Sequence, residues 1–220
     1  MGKSTYNEVF ARFLSSKDGL SGFRNKIIAR KVLEILKPAS SDRILEIGCN
    51  TGELIKKLIV RSKNVVGIDI NHTALKISNM PNLFCMDAAN MDFLDGSFDK
   101  IVCIHTIEHV HRIEIAFEEM DRVLRPGGFI LLIYPLEIIR GMAVIRQTLA
   151  SYSSKWLALV TGSFISKARE LHIHKLSPGK INRLIAGSGL SFVSGNLFLN
   201  PWPAFLTILK KEKEMLNKIH

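Results

Sequence analysis

The stretch RILEIGCNTG, from Arg43 to Gly52, decides how the rest of the chain is read. Arg43-Ile44-Leu45-Glu46-Ile47 sets β-branched and aliphatic residues side by side without helical spacing, which predicts a short buried strand. Gly48-Cys49-Asn50-Thr51-Gly52 then forces a tight turn, and Glu53 to Ile59 resumes with apolar residues at helical spacing. A strand, a glycine-rich turn and a helix make a nucleotide-binding unit, because bare backbone N–H groups at a helix start meet a ligand closely. Beyond Gly52, a second apolar run, Val65-Val66-Gly67-Ile68-Asp69, ends in a carboxylate. An acid at the tip of the second strand is where a ribose diol is gripped.

The dinucleotide fingerprint G-x-G-x-x-G is not met, since the turn has glycines only at Gly48 and Gly52, with Asn50 between them. Asn tolerates positive φ better than most residues, so the turn survives the exchange. Glu46, two residues before the first glycine, is foreign to the dinucleotide pattern. Glu46 to Gly52 resembles the first motif of the class I S-adenosylmethionine (SAM)-dependent methyltransferases, with Asn50 replacing the usual central glycine. Met91 to Lys100 resembles the family's loop-and-strand entry, in which Asp99 is structural, and VLRPGGFILLI, Val123 to Ile133, resembles its third motif. The likeness is tight over residues 40–135 and loose over 175–210. It is closest to the ubiquinone/menaquinone-pathway group.

The resemblance implies an α/β fold: a Rossmann-like three-layer sandwich on a seven-stranded, mostly parallel sheet whose last strand is antiparallel. SAM is the implied cofactor. Asp69 would hold the ribose hydroxyls with Ile70 beside it. The turn, with Glu46, Gly48, Cys49, Asn50 and Gly52, would pack against the methionine part. Asp87, with Ala88, would meet the adenine amino group, and His105 would border the cofactor. The other reading, a redox Rossmann domain, lacks the central glycine it needs.

The 220 residues suffice for one α/β domain with a sizeable core. Hydrophobic residues make up 47% and charged residues 23%, a globular balance, and the mean hydropathy is +0.16. Cys49, Cys85 and Cys103 fall in or beside predicted buried strands and read as reduced core residues, with no zinc spacing among them. The N-terminus shows neither a signal region nor a myristoylation pattern, and no apolar run reaches the roughly 18 residues of a membrane span. A cytoplasmic protein is expected.

Residues 3–37 read as helical, interrupted at Gly19 and Gly22 and ended by Pro38. In the resembling family such a segment, here 1–38, caps the cofactor site, and Tyr6 is the one residue there offered for a substrate wall. Asn71 to Met80 reads as a helix capped by Asn71, and Asn82 to Met86 as the third strand. Ile101 to Ile104 is a fully apolar strand suited to the centre of a parallel sheet. Ile113 to Leu124 has helical spacing, Arg125 to Gly128 turns into the strand Phe129–Ile133, and Lys180 to Leu190 reads as a helix closed by glycines. Ser191–Leu199 and Phe205–Lys210 form the closing strand pair. The whole is read as one domain, 1–220.

At the tip of the fourth strand stands His105-Thr106-Ile107-Glu108-His109-Val110-His111. His-x-x-Glu-His is the inverted zinc-peptidase spelling, but that chemistry needs both histidines on one helical face. The ubiquinone-pathway O-methyltransferases carry Glu-x-x-Glu-His here and look metal-dependent. His105 replaces the first acid, and imidazole suits a hard cation poorly. The favoured reading assigns no metal: Glu108 and His109 bond nearby backbone, and His105 or His111 serves as base toward an acceptor hydroxyl.

The net charge of +10 is uneven. Residues 1–135 carry 18 basic and 16 acidic side chains, whereas 136–184 carry 8 basic against Glu137 and Glu170. Within this stretch, 136–176 is longer than the minimal fold requires and reads as a helical insert; in the resembling family inserts at this place form a lid over the acceptor pocket. Ile138, Ile139, Met142, Ile145, Leu149 and Tyr152 share an apolar face, with Arg140 and Arg146 off it. Cationic and aromatic residues beside such a face suit an anionic membrane surface, while the mixed grease disfavours nucleic acid. The expected activity is methyl transfer from SAM to a small or lipid-like acceptor of quinone, isoprenoid or phospholipid type. The competing reading is a catalytically silent SAM-binding protein that docks a partner or membrane through the basic insert.

Overall fold

The computed structural model describes residues 20–136, 172–199 and 203–213. The stretch before residue 20, with Tyr6, and the insert from 137 to 171 lie outside the described residues. So neither the N-terminal cap as a whole nor the insert expected to meet a membrane is placed.

Seven strands form one sheet in the order β3-β2-β1-β4-β5-β7-β6. They are β1 Arg43–Ile47, β2 Asn64–Asp69, β3 Leu83–Cys85, β4 Phe98–Ile104, β5 Leu124–Pro135, β6 Leu190–Leu199 and β7 Pro203–Lys211. β1 pairs in parallel with β2 and β4, β2 with β3, and β4 with β5, while β7 runs antiparallel between β5 and β6. This is the expected seven-stranded sheet with the reversed final strand. The order changes direction between β1 and β4, so a crevice opens at the carboxyl ends of these strands.

Side chains alternate across the sheet and fill two layers. Leu45, Ile47, Ile101, Cys103, Ile130 and Leu132 face one layer with Ile113, Phe117 and Met120 of helix α4, Ile113–Val123. Ile44, Val65, Val102, Leu131 and Ile133 face the other with Ile28, Val32 and Leu36 of helix α1, Leu20–Leu36. Short helices α2, Ile55–Leu58, and α3, His72–Ser78, cover that second layer, and α5, Pro178–Leu184, the first. Tyr134, fully buried, shares a 2.9 Å hydrogen bond with Thr207, so its one polar atom is satisfied inside the core.

Several boundaries differ from the sequence reading. α1 runs straight through Gly22 and ends at Leu36, with Lys37 at φ 42° before Pro38. Packing of Ile28, Val32 and Leu36 outweighs the modest helix penalty of one glycine. α2 is a single turn rather than a helix from Glu53 to Ile59. α5 starts earlier and stops at Leu184, because Ser177 accepts from Lys180 N–H as its cap and Pro178 opens it. Leu190 belongs to β6. β5 begins at Leu124, paired with Phe98, and Arg125 to Gly128 bulge out before Phe129 pairs with Lys100. Cys85 is exposed on the edge strand β3, unlike buried Cys49 and Cys103.

Asp99 is the second residue of β4, and its role is structural. Its carboxylate accepts from the Arg43 backbone N–H and pairs with Arg125 Nε at 2.6 Å, tying the start of β1 to the bulge of β5. Among the described residues, no helix is long and apolar enough to cross a membrane.

Candidate active site

The turn after β1 has the backbone its residues suggest. Gly48, Asn50 and Gly52 all sit at positive φ, 78°, 47° and 74°. Asn50 therefore occupies the left-handed region that a central glycine would, which Asn adopts at low cost. At Gly48 the space is also closed: a Cβ there would stand 1.9 Å from Thr106 Oγ1. Thr106, just past β4, is thus packed against the turn from the neighbouring strand.

The expectation of bare amides in this turn is corrected by the structure. Gly48 and Cys49 both donate to Ile68 O, at 2.8 and 3.0 Å, and Gly52 donates to Cys49 O. Asn50 N–H donates to Asp69 Oδ2 at 2.8 Å. These donors lock the turn onto β2, so glycine here supplies shape and close approach rather than free N–H groups. The Glu46 carboxyl lies beneath, accepting from the Ile55 N–H at the start of α2.

Asp69 is the hinge of the arrangement. Besides Asn50, it accepts from Asn71 N–H through Oδ1 at 2.8 Å, and Asn71 itself caps α3 by accepting from Ala74 N–H, as its sequence position suggests. Each carboxylate oxygen has further lone-pair capacity for a hydroxyl donor. Burial raises the Asp69 carboxyl above its ordinary range, with the N–H groups of Asn71, Asn50 and Ile70 opposing. Burial, and next the charge of Asp69, push Glu46 well above the usual carboxylate range. The Cys49 thiol is likewise pushed up by burial and by both acids, so it is an inert neutral group.

The remaining cofactor candidates fall on the same edge. Ile70 follows Asp69 with its side chain 60% exposed, an apolar surface beside the carboxylate. Asp87, after β3, accepts from Ala89 N–H at 2.8 Å and pairs loosely with Arg112 at 3.4 Å, and Ala88 is buried next to it. Glu46 Oε2 and Asn50 Oδ1 are buried without a hydrogen-bond partner among the described residues. Two orphaned acceptors beside Asp69 fit a ligand bearing a cationic sulfonium, an ammonium group and ribose hydroxyls. The residues present therefore fit SAM.

At the end of β4, His105 takes a positive φ of 48° while its N–H donates to Ile133 O at 2.7 Å. Its Nδ1 lies 3.6 Å from Glu108 Oε1, and its Nε2 is buried without a partner among the described residues. Burial lowers the imidazole pKa against the opposing pull of Glu108. His111, by contrast, is exposed on the turn before α4, so the two proposed bases are not equivalent.

Glu108 corrects the sequence reading. It is 1% exposed, and neither carboxylate oxygen makes a hydrogen bond to nearby backbone or any other group among the described residues. Burial would raise its carboxyl, but His105 and then His109 hold it below the usual range. Sequence reasoning missed two of its neighbours. Arg24 of α1 is close enough for Glu108 to favour its charge. The segment His172-Ile173-His174 docks on the Glu108 carbonyl through the N–H groups of Ile173 and His174, both at 3.0 Å. His174 also donates from Nε2 to Val110 O at 2.9 Å. The alternating His-x-His was the available signal, yet it sits 60 residues or more downstream of Glu108 with no pattern linking the two.

The methyltransferase domain family matches residues 45–132, the span that holds the turn, Asp69, Asp87 and His105. A demethylmenaquinone methyltransferase of Staphylococcus carnosus is 24% identical over 182 residues, covering 76% of this chain and 74% of its own. Among solved structures, a SAM-dependent methyltransferase from Aquifex aeolicus superposes with a TM-score of 0.60 at 14% identity, over 83% of this chain and 89% of that one. The N-methyltransferase NodS from Bradyrhizobium japonicum gives 0.60 at 16%, over 86% and 97%. At these identities the solved structures speak for the fold.

Proposed function

We propose, from the premise that this chain is a class I SAM-dependent methyltransferase, that it methylates a small quinone-type acceptor of lipid character. The observation that carries the acceptor class is the likeness to demethylmenaquinone methyltransferases, which extends beyond the cofactor-binding half to 76% of the chain. The excess of apolar and basic residues between 136 and 184 supports the same reading, because it suits an acceptor drawn from an anionic membrane surface.

SAM supplies an electrophilic methyl group when bound. The chain's own residues hold and orient it. Asp69 would hold the ribose hydroxyls with Ile70 beside it, and Asp87, with Ala88, would meet the adenine amino group. Glu46, Gly48, Cys49, Asn50 and Gly52 form the floor and wall for the methionine part. His105, at the tip of β4, offers the acceptor its Nε2, which has no partner among the described residues, and His111, exposed on the turn before α4, is the other candidate base. Most of the acceleration then comes from alignment of acceptor and methyl with water excluded. The insert 136–176, with the cap 1–38, would complete the single domain and close over the acceptor.

The test is transfer of label from methyl-labelled SAM to a demethylated quinol presented in mixed micelles. Incorporation into the quinol supports the reading. SAM binding without turnover on that acceptor would favour the silent SAM-binding alternative instead.

A further inference from the structure

We propose that Glu108, His109 and His172 form a binding site for one borderline divalent transition-metal ion of the zinc class. The three side chains each offer a donor atom, and these atoms lie within 4.8 Å of one another. Zinc bonds imidazole nitrogen and carboxylate oxygen at about 2.0–2.2 Å, so small side-chain rotations close the three donors onto a shared ion. The site is independent of the acceptor's identity.

The carboxylate is the strongest sign. Glu108 is almost wholly buried, and both of its oxygens lack a hydrogen-bond partner among the described residues. Buried carboxylates are ordinarily paired, hydrogen-bonded or metal-bound. The nearest ring nitrogen of His105 stays at 3.6 Å, beyond ordinary hydrogen-bond length. The two imidazoles of the set already meet edge to face, with centroids 4.9 Å apart.

The fold fixes the donors in place from two directions. Glu108 and His109 belong to a one-turn 3-10 helix, Ile107–His109, whose His109 N–H donates to Thr106 O. His172 arrives from the far side of the insert, and the next two residues are stitched to the Glu108 carbonyl. A donor pair within one turn plus a distant third donor is the usual construction of a protein metal centre. The set differs from the one the sequence raised: His105 stands outside it and His172 takes the third place. One carboxylate with two imidazoles selects zinc, cobalt or iron(II) over magnesium, and three protein donors leave a position for water or an acceptor oxygen. Arg24 is the competing occupant, since its guanidinium lies within electrostatic reach of Glu108.

The full chain, stripped with chelator and exchanged into metal-free buffer, is titrated with Zn²⁺, Co²⁺ and Mg²⁺ by calorimetry, with Co²⁺ also followed by visible absorption. One equivalent of Zn²⁺ or Co²⁺ is expected, with ligand-field bands for Co²⁺ and no Mg²⁺ uptake at the same concentration. Glu108→Gln and His172→Ala should each weaken Co²⁺ by at least about 100-fold, and circular dichroism and SAM binding identify variants that still fold. Wild-type protein that takes up no Zn²⁺ or Co²⁺ overturns the proposal. So does uptake unchanged in His172→Ala, or uptake seen only once Arg24→Met has removed the guanidinium.

Discussion

Asp69→Asn is the substitution that probes the cofactor clamp most closely while keeping its shape. The carboxylate holds Asn50 N–H through Oδ2 and Asn71 N–H through Oδ1, each at 2.8 Å, and its remaining lone pairs face any ribose bound there. The amide keeps one acceptor oxygen, loses the charge and sets its NH2 against one of the two backbone N–H groups, so that group's hydrogen bond is lost as well. A hydrogen bond to a charged group contributes about 1.5–3 kcal/mol, so losing one to the ribose weakens SAM by about 10- to 150-fold. Titration calorimetry reads this directly, with circular dichroism checking the fold. Acidity adds a second readout. Burial raises the Asp69 carboxyl in the folded protein, so its contribution to apo stability is present below the ordinary carboxylate range and lost as pH rises through the raised value. SAM needs the ionised form and so has the opposite preference. The thermal shift given by saturating SAM should therefore shrink as pH falls through that raised value. Cys49 stays neutral throughout, and Glu46 feels the charge of Asp69, so the difference between wild type and Asp69→Asn reports Asp69 together with its coupling to Glu46. A folded Asp69→Asn protein that binds SAM within about twofold of wild type refutes the ribose assignment.

Three further outcomes follow from other parts of the molecule. Gly48→Ala meets both a positive φ and Thr106, and should lose about 2–4 kcal/mol in urea unfolding together with SAM binding; unchanged stability would show the turn to be more pliable than its contacts imply. Asp99→Ala strands the Arg43 N–H and the Arg125 pairing, and should cost about 1–3 kcal/mol with SAM affinity unaltered; a selective loss of SAM affinity would mean Asp99 does more than brace β1. Charge reversal at Arg140, Arg146 and Lys155 should release the protein from anionic vesicles in a sedimentation assay, and wild-type protein that never sediments with them removes the membrane-surface proposal.

What could be read from residues alone depended on how much of each signal was local. β1, its turn and β2 were legible because two short apolar runs, a pair of glycines and a terminal acid fix register and backbone with no help from distant chain. Asn50 could be assigned its left-handed backbone for the same reason, and Asn71 its cap. The use of the turn's N–H groups was not legible, because their acceptor, Ile68 O, is a backbone atom of another strand. Boundaries failed where tertiary packing outweighs local preference, as at Gly22 within α1, or where a cap was overlooked, as at Ser177. The surroundings of Glu108 were hidden most completely. His172 is brought beside it by the backbone hydrogen bonds of Ile173 and His174, and main-chain pairing of that kind leaves no residue pattern.

The most direct measurement is a competition titration of the purified chain with S-adenosylhomocysteine and a reduced nicotinamide dinucleotide, followed by a crystal structure with whichever binds. The account requires the adenosyl compound to bind, with its ribose hydroxyls on Asp69 and its amino-acid end against Gly48 to Gly52. Preferential binding of the nicotinamide compound, or an adenosyl ligand seated away from Asp69, would contradict it.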